Sequence, residues 1–353
     1  MLRLFLWIAL VQSSFAQAQT FDVLIEESRA YDSAMFTNKY RFKSFTNTAL
    51  VDGAVTSDGT DETVFDRSLI NQTTVQGELP TSSDFSIRPT LFTQVAMRIE
   101  ENEEEPRKIS RTTWVEATPS LEFTYQTSSK VEILFGAAYH AIPDFEQKSE
   151  TSSVETLSSY SSAAMTTYHL GLTKRLGSVG GGILYRAGAE GKRTIKKFTS
   201  QEENTELEFE DILYDPTTLT LFFVSEMGSG NFVFAEFSEV QASNGGNKTE
   251  TGDPINENYT LARLSGFFSI GSPFNLKTTV VYKTLSYAEN TNVTLDTIPS
   301  WGLHLKLVNG KPDKNTFIGI VYAYGRDGQS LPEFNASYKL DVYGVSLGLN
   351  QTF

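Results

Sequence analysis

From Tyr343 to the end of the chain the residues alternate in character. Tyr343, Val345, Leu347, Leu349 and Phe353 hold one parity, with Gln351 among them, and Gly344, Ser346, Gly348, Asn350 and Thr352 hold the other. Successive side chains of a strand point to opposite faces, so this strand has one apolar face and one small, polar face. The apolar face must be laid against something. In a sandwich it meets a second sheet, whereas in a closed wall set in a bilayer it meets lipid and the polar face looks inward.

The rest of the chain repeats the alternation. In 85–100, Phe85, Ile87, Leu91, Val95 and Ile99 oppose Arg88, Gln94 and Arg98. In 109–126, Val115, Ala117, Leu121, Phe123 and Tyr125 oppose Glu116 and Glu122, and in 130–141 Val131, Ile133, Phe135, Ala137 and Tyr139 form an unbroken apolar parity. Further segments are read at 162–175, 181–196, 207–225, 231–241, 258–270, 275–287, 298–308 and 316–325, and weaker ones at 39–51 and 62–78. The connections sort by length. Leu79–Asp84, Thr127–Ser129, Leu176–Gly180, Gly228–Gly230, Gly271–Pro273 and Asn309–Lys314 are short, while 52–61, 101–108, 142–160, 197–206, 242–257, 288–296 and 326–333 are mostly long and polar. Short turns on one side and long loops on the other suit a transmembrane barrel, and a sandwich has no reason to sort its loops. The fold expected is an all-β antiparallel transmembrane β-barrel of about fourteen strands, twelve and sixteen being the neighbouring even counts. Its short turns would be periplasmic and its long loops extracellular.

The two ends add expectations. Met1 to Ala18 joins one positive charge at Arg3, an apolar run from Leu4 to Val11 and the small-residue site Ala16-Gln17-Ala18. Residues 1–18 therefore read as a secretory signal peptide, the apolar run being too short to span a bilayer. Residues 19–37, with Phe21, Leu24, Ile25 and Ser28 at helical spacing, read as an N-terminal periplasmic or plug segment, and 38–353 as the barrel. The closing strand resembles that of Gram-negative outer-membrane β-barrels. In those proteins the terminal Phe and the alternating hydrophobics before it are read by the barrel-assembly machinery. Tyr343, Val345, Leu347, Leu349 and Phe353 match that pattern, and Gln351 stands where an apolar or aromatic residue is usual. The resemblance implies export to the outer membrane, contact with its lipid and the assembly machinery as a partner during biogenesis. Fourteen strands with an N-terminal plug are similar in architecture to the long-chain fatty-acid transporter family. That family's Asn-Pro-Ala hatch motif is absent here, and no binding residue is carried over.

Little in the sequence points to covalent chemistry. The chain has no Cys, which removes disulfides, thiolate metal sites and thiol nucleophiles. His140, His169 and His304 are the three histidines, in no short metal-ligand motif, and no G-x-S-x-G is present. No catalytic, cofactor or metal residues are assigned. A formal charge of −14 argues against nucleic acid as a partner. The informative residues are charged ones on the parity opposite the apolar runs, where lipid would cost about 2–4 kcal/mol for Arg or Lys. They are Arg88 and Arg98; Glu116, Glu122 and Glu132; His169 and Arg186; Glu236 and Arg263; Lys277 and Lys283; His304 and Lys306. All are expected to line the lumen, either as ion pairs that stiffen it or as a mixed field along a solute path. The function expected is a channel or transporter for small solutes. The alternatives are a non-conducting barrel that works through acidic loops such as Glu103 to Glu105, and an outer-membrane hydrolase. The sequence leaves the oligomeric state open.

Overall fold

The structure, a computed structural model, describes residues 42–57, 63–102, 108–151, 156–188, 191–199, 207–213, 217–228, 230–241, 256–289, 300–311, 314–327 and 338–352. The expected signal peptide, the 19–37 segment, Glu103 to Glu105 and Phe353 lie outside these residues.

Alternating segments become strands, and their pairing closes. They are β1 (Phe42–Ser57), β2 (Thr63–Gly77), β3 (Phe85–Asn102), β4 (Lys108–Gln126), β5 (Val131–Thr151) and β6 (Thr156–Leu176). Then come β7 in two pieces (Val179–Gly188 and Gly191–Thr199) and β8 in two pieces (Leu207–Leu213 and Thr217–Gly228). The last six are β9 (Asn231–Gln241), β10 (Asn256–Gly271), β11 (Phe274–Glu289), β12 (Ser300–Lys311), β13 (Lys314–Asp327) and β14 (Tyr338–Thr352). Each pairs antiparallel with its sequence neighbour, and β1 pairs β14 from Lys43↔Thr352 to Ser57↔Tyr338. The result is a closed 14-stranded antiparallel barrel. Closure removes the sheet edges, which in hydrocarbon would leave backbone N–H and C=O groups without partners.

The parities separate as the alternation requires. On β14, Tyr343, Val345, Leu347 and Leu349 are exposed, whereas Leu340, Val342, Ser346 and Asn350 are buried inside the wall. Ile318, Ile320, Leu170, Leu221, Phe237 and Leu264 continue the exposed apolar surface around the barrel. Its height follows from β14, where outward Asp341 and Gln351 bracket the apolar positions. Ten residue steps at about 3.3 Å, inclined by about 40°, span roughly 25 Å, the height of a hydrocarbon layer. Trp301, Tyr322, Tyr324 and Tyr343 gather at one rim of this band, with Trp301 5.8 Å from Tyr322 and Tyr322 5.2 Å from Tyr343 between ring centroids. Such rings suit the interface, apolar in body and polar at the tip. Just beyond them Lys339 lies 2.6 Å from Asp341, whose hydrogen bond holds the ammonium above the usual lysine range. The exposed pair Arg67–Asp52, at 3.1 Å, flanks the same rim on β1 and β2.

Two stretches differ from expectation, the first being 52–57, read within the 52–61 loop but part of β1. The polar segment 142–160, read as a loop, is mostly hairpin, with β5 and β6 paired as far as Glu150↔Thr156. Above the membrane both faces of a hairpin meet water, so alternation disappears from the sequence while the backbone ladder continues.

Candidate functional site

The inward parity is layered. Near the end that holds the start of β1 and the end of β14, an aromatic collar runs along the wall: Phe45, Phe222, Phe232, Phe234, Phe267 and Phe317, with Val224 and Val308. Phe232 stacks on Phe267 at 5.6 Å and Phe45 on Phe317 at 6.1 Å. The second pair spans β14 because Gly348 stands between them; a Cβ there would lie 2.3 Å from the Phe317 ring. Further along the barrel an aliphatic collar holds Ala49, Val51, Ile70, Leu261, Val281 and Val342, with Trp114 beside them.

A polar layer separates the collars. Gln72 Nε2 donates to Gln94 Oε1 at 2.9 Å, Thr220 meets Ser238 at 2.8 Å, and Ser265 meets Thr279 at 3.1 Å. His304 Nε2 is 2.7 Å from Ser346 Oγ across an intervening strand. That bridge passes over Gly319, where a Cβ would lie 2.7 Å from Ser346 Oγ and 2.9 Å from His304 Nε2. The same device recurs on the opposite wall. His169 Nε2 reaches Glu122 Oε2 at 3.1 Å across β5, where Gly136 leaves the gap and a Cβ would lie 2.7 Å from the imidazole. In both places a glycine on the middle strand lets side chains two strands apart hydrogen-bond directly.

The thirteen charged or histidine residues singled out from the sequence all fall on the inward parity, and the structure distributes them rather than gathering them. One group centres on Arg88, which is 2% exposed and lies 3.5, 3.3 and 3.1 Å from Glu78, Glu122 and Glu132. His169 joins it through Glu122. A second group surrounds His140, 3.2 Å from Thr118 Oγ1, 3.0 Å from Thr167 Oγ1, 3.3 Å from Arg186 and 3.5 Å from Glu116. Arg263 and Glu236 form a third at 3.4 Å. Lys306 lies over the aromatic collar, 4.3 Å from the Phe317 centroid, and Lys283 over Tyr259 at 4.6 Å, both cation–π contacts. Arg98 is buried, and Lys277 is half-buried on β11.

Sequence reading missed several members. Glu78 follows the last residue of β2, so no alternation marked it, yet it is 6% exposed and also bonds Ser86. His140, at the end of the apolar run 130–141, was not among the residues expected to line the lumen, but β5 continues to Thr151 and the ring sits on the inner wall. The collars were legible only as inward-parity Phe and Val residues, a signal drowned by the outward ones. Among the described residues no cluster of His, Asp or Glu could hold a metal ion.

Solved structures share this closed barrel fold. A deltaS2 mutant of the monoaromatic hydrocarbon channel TodX superposes with TM-score 0.58 at 13% identity, over 93% of this chain and 93% of that one. A Pseudomonas aeruginosa FadL homologue gives 0.57 at 9% identity over 88% and 90%. The Pseudomonas putida toluene transporter TodX gives 0.55 at 14% identity over 93% and 92%. No protein-family model matches the sequence, and no curated protein matches it.

Proposed function

We propose that this chain lies in a Gram-negative outer membrane and passes small hydrophobic solutes across it without covalent chemistry. The observation that carries this reading is the pair of apolar collars on the inner face. A water-filled path for sugars or ions gains little from an arc of buried phenylalanines inside its wall, on β1, β8 to β10 and β13, where apolar surface forfeits hydration. The collar residues are at most 8% exposed and pack on one another, so a solute must part them to enter, gaining roughly 25 cal/mol for each Å² of apolar surface it then covers. Solved barrels that superpose on this one include a monoaromatic hydrocarbon channel and a toluene transporter, which supports the same class of solute. In this reading the charged groups around Arg88 and His140 brace the wall and border the path, and the 19–37 segment plugs it. Tyr343, Val345, Leu347, Leu349 and Phe353 serve earlier, as the strand recognised by the assembly machinery.

The test is uptake into proteoliposomes carrying the refolded barrel, with toluene and a small sugar compared in parallel. Facilitated entry of toluene, reduced in Phe234→Ser and Phe267→Ser variants, is the expected result. Steady ohmic conductance with free sugar entry and unassisted toluene entry would replace the proposal with a hydrophilic pore.

A further inference from the structure

Two lysines face each other across one rung of the inner wall. Lys277 of β11 is in register with Lys306 of β12, both on the inward parity, so their Cα atoms stand about 5 Å apart. Like charges directly opposite on one face of an antiparallel pair are destabilising. The position raises the cost, because Lys306 is 3% exposed and an ammonium taken out of water needs compensation. The surroundings repeat the sign. Among the described side chains, the inward parity of β9 to β14 carries Arg263, Lys277, Lys283 and Lys306 against one carboxylate, Glu236, which pairs with Arg263 at 3.4 Å.

Aromatic rings flank this rung. Phe267 of β10 is in register with Lys277 and stacks on Phe232 at 5.6 Å. On the other flank, Lys306 Nζ lies 4.3 Å from the Phe317 centroid and 5.8 Å from that of Phe45, which fixes the ammonium at the border of the aromatic collar. Gly319, in register with Lys306 on β13, yields its place to the His304–Ser346 bridge, so polar groups continue past the lysines on the side away from β10. One point of the wall therefore joins two cations to a pair of ring surfaces.

We infer that this rung binds the acid group of an aromatic monocarboxylate whose ring lies against Phe267 and Phe317. The inference rests on the reading of the barrel as a path for small hydrophobic solutes and narrows the class. One carboxylate set between the two ammoniums offsets their repulsion, and its two oxygens give each ammonium a charge-assisted partner. A neutral hydrocarbon uses the rings alone and leaves that repulsion in place. An inorganic anion uses the charges alone and gives up hydration beside phenylalanine, where it gains nothing in return. An aromatic acid uses both halves of the site, since its ring stacks while its head neutralises.

Benzoate and toluene share a planar ring and nearly one size, so together they separate the acid group from the ring. Binding of labelled benzoate to the full-length refolded barrel in detergent micelles is measured by equilibrium dialysis at about pH 8, where the acid is ionised. Lys277→Met and Lys306→Met, which remove the charge and keep most of the stem, should each weaken it by about tenfold or more, and Lys306→Arg should stay within about threefold. Hexanoate, an acid of similar size without a ring, should bind about threefold more weakly than benzoate. Toluene entry into proteoliposomes should be unchanged in Lys277→Met. Its urea midpoint without ligand should equal or exceed that of the wild type, because one of two like charges is gone. Binding of phosphate or hexanoate as tight as that of benzoate, benzoate binding undiminished in both Met variants, or a lowered midpoint in Lys277→Met would each overturn the acid site while toluene entry persists. Loss of both benzoate binding and toluene entry in a wild-type barrel with heat-modifiable mobility would overturn it together with the reading it rests on.

Discussion

Two glycines and one arginine carry much of the inner wall's specificity. Gly319 and Gly136 are the gaps through which His304 meets Ser346 and His169 meets Glu122. Gly319→Ala should cost about 1–3 kcal/mol, because the new methyl meets the Leu305 carbonyl as well as the hydrogen-bonded pair. Gly136→Ala should cost at least as much, since its nearest obstacle, the Leu121 carbonyl, is backbone and cannot rotate away. Gly177→Ala, in open space at φ +62°, should lower stability less, through backbone strain alone. Urea midpoints of the refolded barrels would rank the three. Arg88 faces three carboxylates while almost wholly buried. Arg88→Met should lower stability by about 3–5 kcal/mol, and adding Glu122→Gln and Glu132→Gln should restore part of it, the signature of uncompensated charge rather than lost packing. The same midpoints read this out. The sequence showed Arg88, Glu122 and Glu132 as inward charges. It could not show that they share one point, because registers such as Arg88↔Glu122 and Glu132↔Thr173 arise only when strands pair.

At the scale of the element, β14 shows how far a pattern can be trusted. Its outward and inward residues fell on the faces that alternation assigned, and Leu347 lies near the middle of the apolar band. Leu347→Lys should therefore cost about 2–4 kcal/mol of folding free energy in liposomes, measured by refolding at graded urea. Leu176→Lys, at a turn-side rim, should cost about 0–1 kcal/mol in the same assay. β1 and β2 were the weakest strands in the sequence, and the structure gives the reason. Their outward parity holds Thr46, Thr48, Asn71 and Thr73, so the contrast between faces fades although the ladder runs unbroken from Phe42↔Gly77 to Thr56↔Thr63. The 142–160 stretch failed for a related reason. Alternation records a difference between two media, and beyond the membrane there is one medium on both sides.

For the molecule as a whole, layering of the inner wall sets the expected behaviour. Hydrophobic collars divided by a hydrogen-bonded layer should pass an aromatic solute while opposing hydrated ions, so planar-bilayer conductance should stay well below that of an open pore. The sequence by itself determined that the chain is a wall: period-two alternation from Phe85 to Leu349 requires strands with one lipid-facing side. It fixed which parity faces out, because that depends on neighbours within a strand, and the cost of a charge in hydrocarbon leaves one arrangement. Tertiary structure alone decided that β1 meets β14, that inward residues sort into collars and polar layers, and that Glu78, Arg88 and His169 converge. Those facts depend on register and tilt between strands distant in sequence. Each pairing is set by backbone hydrogen bonds that look the same whatever the side chains, so no local pattern records them.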